Sequence, residues 1–173
     1  PYLMEYPHGC SEQIFNRRLV SMVGAGVIGK TTVAIAVGHR LSHHFDGAVF
    51  FVDLSAVTDP ELVLTTIGST LGIMLRTQEP LLSLVTFLEN KKLLLILDNC
   101  EHVIERTAAM AERVIETAPE TRILATSREA LQVNGEYVHL LYPLECPPEN
   151  GDLALTEALR YPAAKLFIER AVA

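Results

Sequence analysis

The sequence predicts an α/β fold, a single five-stranded parallel sheet with helices on both faces, from three observations. Short apolar runs alternate with helix-length segments along the chain, the pattern of parallel strands joined by right-handed helical crossovers. The first apolar run ends in Gly24-Ala25-Gly26-Val27-Ile28-Gly29-Lys30-Thr31, a glycine-rich turn that opens onto a helix. And 173 residues, 49% of them hydrophobic, suffice for one well-buried core but are short for two.

Element by element, residues 1–17 are a lead-in and residues 18–145 form the domain. Leu19, Val20, Met22 and Val23 make 18–23 a short buried strand. Residues 30–41 form a nearly all-apolar helix, as expected of one packed between a sheet and its neighbours. Residues 48–54 read as a second buried strand. Asp59-Pro60-Glu61 then supplies a cap, a first-turn proline and a first-turn acid, and Val63, Ile67 and Leu71 recur at helical spacing. A helix over 81–88 follows a break at 76–80. The clearest buried strand, Leu93-Leu94-Leu95-Ile96-Leu97, runs into Asp98. Residues 102–117 carry a broad apolar stripe through Val103, Thr107, Met110 and Val114, and Pro119 ends that helix. Strands at 122–126 and 137–141 complete the sheet. Residues 146–173 are a linker and the start of a further helical subdomain, a helix beginning at 163.

The glycine-rich turn matches the P-loop pattern G-x-x-x-x-G-K-[ST] at every fixed position. A triphosphate concentrates several negative charges and must be met by many donors in a small space. Gly24, Gly26 and Gly29 let the chain curl with its amides inward, and Ala25, Val27 and Ile28 fill the loop between them. The helix N-terminus adds its positive dipole end. Lys30 is placed to reach the β and γ phosphates, Thr31 to give its hydroxyl to Mg²⁺, and Thr32 to add a hydroxyl near the α phosphate. Asp98, directly after a buried strand, stands at the carboxyl edge of the sheet where open α/β folds bind ligands. It is the Walker B candidate, holding Mg²⁺ opposite Thr31. Arg128, in Ala125-Thr126-Ser127-Arg128-Glu129, follows a strand at the same edge and is placed to read a γ-phosphate through its planar guanidinium.

A net charge of −7 argues against a large nucleic-acid surface on this segment. Cys10, Cys100 and Cys146 are far apart and lack a C-x-x-C spacing, so neither a disulfide framework nor a zinc site follows. With no signal-peptide pattern and no apolar run near the roughly 18 residues needed to span a bilayer, the chain reads as cytoplasmic and without a membrane partner. It begins at Pro1 and ends inside a helix-like segment, as expected of a piece of a longer protein. Adjacent His43 and His44 point to different sides of a helix end, which suits the helix dipole better than a metal. Phe50 and Phe51 are embedded in a strand and do not form a base-stacking platform.

The P-loop, Leu93-Leu94-Leu95-Ile96-Leu97-Asp98-Asn99-Cys100 and Ile123-Leu124-Ala125-Thr126-Ser127-Arg128-Glu129 together resemble the ATPase domain of bacterial STAND proteins, signal-transducing ATPases related to NB-ARC modules. The nearest resemblance is to the ATPases behind winged-helix or LuxR-type domains of bacterial transcriptional regulators. Phe51-Val52-Asp53-Leu54, Asp98 to His102, and Ala164 to Ala171 share it. The resemblance implies a P-loop three-layer sandwich in which the strand leading to Arg128 separates the Walker B strand from the P-loop strand. It implies a regulatory switch that binds ATP or ADP with Mg²⁺, with Arg128 sensing the γ-phosphate. Sensor and effector domains in the longer chain, DNA contact only through an attached domain, and nucleotide-dependent self-assembly follow from the same resemblance. Val27 stands where most relatives have a third glycine, and Asn99 where many have a glutamate. Asn99 cannot accept a proton from water, so Glu101 is the substitute general base and slow hydrolysis is expected. The alternatives are a nucleotide-independent interaction domain on a degenerate P-loop and a small-molecule kinase, for which the sequence lacks an arginine-rich lid.

Overall fold

Five apolar runs form the sheet of the computed structural model, which describes residues 6–26, 28–76, 78–143, 146–147, 157, 160–161 and 163–164. The strands are β1 (Leu19–Val23), β2 (Val49–Asp53), β3 (Leu93–Asp98), β4 (Thr121–Ser127) and β5 (Glu136–Leu140). Their order is β2-β3-β4-β1-β5, and every pairing is parallel. β4, the strand that leads to Arg128, therefore separates β3 from β1, as expected. The helices are α1 (Tyr6–Asn16), α2 (Lys30–Leu41), α3 (Leu62–Thr70), α4 (Pro80–Leu88) and α5 (Ile104–Thr117).

Strand side chains alternate between faces, and the burial divides accordingly into two cores. Leu93, Leu95 and Leu97 of β3 and Ile123 and Ala125 of β4 join α3, α4 and α5 on one face. Leu94, Ile96 and Leu124 join α1, α2 and Phe45 on the other. All six residues of β3 are buried, as befits a strand covered on both sides. These are the three layers the sequence predicts.

Four details differ from the sequence expectation. Helix α1 was not anticipated within the lead-in; its Cys10 and Ile14 are buried at 0% and 1% exposure against the α2 face. β2 is an edge strand in which only Val52 is fully buried, rather than a buried strand, because among the described residues no strand lies on its far side. Helix α3 begins at Leu62: Asp59 does act as a local cap, its Oδ1 accepting the Glu61 N–H at 3.0 Å, but Pro60 and Glu61 form a turn before the helix. A short 3-10 turn at Cys100–His102 precedes α5, and another at Ser42–Phe45 follows α2. In the latter, His44 stacks edge-on against Phe15 and Phe45, with ring centroids 4.5 and 4.9 Å away. The expected helix from 163 and most of the preceding linker lie outside the described residues. Among the described residues, no helix is long and apolar enough to cross a membrane.

Candidate functional site

Parallel strands deliver their following residues to one edge, and β1, β3 and β4 end here in register. Val23 pairs with Ser127 of β4 and Leu140 of β5, and Leu97 with Ala125. The glycine-rich turn leaves β1 tied on both sides, Gly24 N–H donating to Ser127 O at 3.3 Å and Leu141 N–H to Val23 O at 2.8 Å. Gly24 is there for close approach: a Cβ would sit 2.7 Å from the Leu141 carbonyl oxygen. Gly29 is there for conformation, with φ of +90° just before α2. The helical ladder starts with Val33 N–H to Gly29 O at 3.0 Å, so the amides of Lys30, Thr31 and Thr32 precede it, as first-turn amides do. Ala25 and Gly26 are exposed on the turn and Ile28 packs against the α1–α2 core. Val27 lies outside the described residues.

Lys30 is 7% exposed, and its ammonium folds back onto the turn, donating to Gly24 O at 2.8 Å and Ala25 O at 2.9 Å. Thr31 crosses to the other motif: its hydroxyl is shared between Asp98 Oδ2 at 2.8 Å and Oδ1 at 3.1 Å. Asp98 is 1% exposed, a burial that a carboxylate tolerates only when its lone pairs are met. Asn99 Nδ2–H donates to Asp98 Oδ2 at 3.0 Å, and Thr126 Oγ1–H to Oδ1 at 2.5 Å. Thr126 in turn accepts the Asn99 N–H at 3.0 Å. Asn99 holds a left-handed backbone, φ 61°, which turns the chain sharply out of β3 into the Cys100–His102 turn.

Arg128 and Glu101 meet at this edge, Nε to Oε1 at 3.2 Å. Arg128 also borders the glycine-rich turn, its Nη2 lying 3.8 Å from where a Cβ on Gly26 would stand. Four of the predicted residues thus meet in two contacts, Thr31 with Asp98 and Arg128 with Glu101. Thr126 is the participant that sequence reasoning passed over. The sequence alone carries no signal for it: only the Leu97–Ala125 register sets its hydroxyl beside Asp98. Asp53, at the end of β2, pairs in register with Asp98. Hydrogen bonds from Ser55, the backbone N–H first, hold its carboxyl below the usual range. Cys100 is buried under the site, and burial, with the neighbouring Asp98 and Glu101 charges, pushes its thiol up and keeps it protonated. Among the described residues, no group of three or more His, Cys, Asp or Glu side chains is placed to hold a metal.

Comparison with known proteins places this edge in context. Residues 10–139 match the family model described as the NB-ARC domain. A Mycobacterium tuberculosis protein named as a candidate HTH-type transcriptional regulator is 38% identical over 144 residues, covering 83% of this chain and 16% of its own length. A second, uncharacterized protein of that organism is 31% identical over 160 residues, covering 90% of this chain and 37% of its own. The chain therefore spans well under half the length of these relatives. Among solved structures, a Pyrococcus horikoshii signal-transduction ATPase with numerous domains (STAND) and a tetratricopeptide repeat sensor superposes with TM-score 0.59 at 14% identity, over 82% of this chain and 23% of that one. Cdc6p from Pyrobaculum aerophilum gives 0.59 at 14% identity, over 81% and 45%. At such identities these neighbours bear on the fold alone.

Proposed function

The chain belongs to the NB-ARC domain family, a nucleotide-binding switch module, and from that premise we propose that it is the ATP- and ADP-binding switch of a larger, cytoplasmic transcriptional regulator that hydrolyses ATP slowly. The observation that carries the reading is the contact between Thr31 Oγ1 and Asp98 Oδ2 at 2.8 Å, across 67 residues of sequence. Two motifs expected to share one Mg²⁺ are touching.

The residues present fit the nucleotide and its cation. A hydroxyl and a carboxylate are hard oxygen donors of the kind Mg²⁺ takes, so Thr31 and Asp98 would hold it; bound there, Mg²⁺ would neutralise charge on the β and γ phosphates. Lys30 already lies along the turn that would cradle those phosphates, and its ammonium is satisfied by two carbonyls that phosphate oxygens would replace. The amides of Lys30 to Thr32 point from a helix N-terminus toward the same space. Thr126 at Oδ1 and Asn99 at Oδ2 keep Asp98 oriented toward Thr31. Arg128 would read the γ-phosphate. Hydrolysis is slow because the side chain after Asp98 is an amide, committed as a donor to Asp98 and unable to take a proton from water. Glu101 is the carboxylate left for that task.

DNA contact, signal sensing and nucleotide-dependent self-assembly belong, on this reading, to segments attached to the domain; the name of the mycobacterial relative supports the assignment to transcription. The test is thermal unfolding with Mg²⁺ and ADP, ATP or GTP. At a hundredfold excess over Kd, binding to the folded state alone adds about 2.7 kcal/mol of stability. We expect that shift with the adenine nucleotides and none in Lys30→Ala. A wild-type melting curve unmoved by every nucleotide defeats the proposal.

A further inference from the structure

The two halves of the Arg128–Glu101 pair are held very differently. Glu101 sits in the Cys100–His102 turn with its side chain 21% exposed, whereas the Arg128 side chain is 68% exposed. The carboxylate is the fixed half and the guanidinium the movable one. Glu101 is also under-satisfied, since its Oε2 is buried with no hydrogen-bond partner. A buried carboxylate oxygen lacking a donor makes the remaining ion pair harder to give up. On its other side, Arg128 reaches the glycine-rich turn at Gly26. The guanidinium thus stands between a protein carboxylate and the loop assigned to phosphate, and its planar fork suits either anion.

We propose that Glu101, besides being the carboxylate left as a base, holds Arg128 in competition with the γ-phosphate and so sets the preference between ATP and ADP. The inference rests on the nucleotide-switch reading. ADP has no γ-phosphate and leaves the pair intact. ATP must draw the guanidinium away from Glu101, stranding a carboxylate already short of donors, so the cost falls on the ATP-bound form alone. A ligand moves such a balance only through what it contacts differently in the two states, and this pair supplies the difference. Glu101 also ties the γ-phosphate position to the turn leading into α5, the first element that would feel Arg128 leave.

The experiment is titration calorimetry of ATP and ADP, with Mg²⁺, on the full chain and on Glu101→Gln, Glu101→Ala, Arg128→Gln and the Glu101→Gln/Arg128→Gln double variant. Removing the carboxylate is expected to raise the ATP:ADP affinity ratio about three- to fivefold, the range of a partly exposed ion pair. With Arg128 already replaced, the same change at Glu101 should leave the ratio where it was. Either alanine or glutamine at position 101 suffices, whichever folds. A ratio that stays level or falls in both Glu101 variants overturns the proposal, as does a rise that persists without Arg128. Wild-type protein that binds neither nucleotide overturns the switch reading itself; binding of both with an unmoved ratio overturns only the competition by Glu101.

Discussion

Asp98 shows how much a single buried carboxylate can organise. Hydroxyls from α2 and β4 and an amide from its own neighbour all turn toward it, so one side chain fixes the relation of three elements. Its own place, after a run of five aliphatic residues, was legible from sequence because only the edge of a sheet accepts a charge after such a run. Thr126 was not, since a threonine near a strand end gives no sign of facing an acid until the register is known. Glu136 plays a comparable part away from the site. Its carboxylate accepts the backbone N–H groups of Leu131 at 2.9 Å, Gln132 at 2.8 Å and Val133 at 3.3 Å, closing the loop that returns from Arg128 to β5. Hydrogen bonds to a charged group contribute about 1.5–3 kcal/mol, so Glu136→Ala is expected to lower stability by about that much in urea unfolding. A loss under a few tenths of a kcal/mol would mean the loop closes without it.

At the level of elements, the helices and strands with strong periodicity matched their expected limits: α2 over Lys30–Leu41, and β1 and β3 to within a residue. Misreadings arose where tertiary contact decides. α1 carries Pro7 and Gly9 and little apolar periodicity, so its helix is stabilised by docking rather than by propensity. β2 has the composition of a buried strand, but position in a sheet is a property of pairing order, which composition does not encode. The docking of α1 is testable. Ile14 is 1% exposed in the core shared with α2, and Ile14→Ala should cost about 2–5 kcal/mol. A change below 1 kcal/mol would show that α1 rests on the domain without supporting it.

Across the whole molecule, the sheet insulates two cores from each other, and each carries a cysteine. Cys10 lies with α1 and α2, Cys100 with α3 to α5, and both are fully buried while Cys146 is exposed. Burial pushes the Cys10 thiol up to about 12 and the Cys100 thiol higher still, so neither offers a reactive thiolate near neutral pH. Iodoacetamide on the native protein should therefore modify Cys146 alone, and all three cysteines after denaturation. Rapid native labelling of Cys10 but not Cys100 would reveal that the α1–α2 core opens separately from the other.

The strand order carries one more consequence, for the making of the protein. β1 is synthesised first, yet its neighbours in the sheet are β4 and β5, the last strands described. A chain emerging from the ribosome can pair β2 with β3 while the glycine-rich turn still dangles from an unpaired strand, and the non-local closure is the slow kind. The turn and Asp98 can be brought to a common edge only when β4 is inserted between their strands. Ligand binding at this site is thus a report that β4 is in place between β1 and β3, and a nascent or truncated chain ending before Thr121 has no partial version of it to offer.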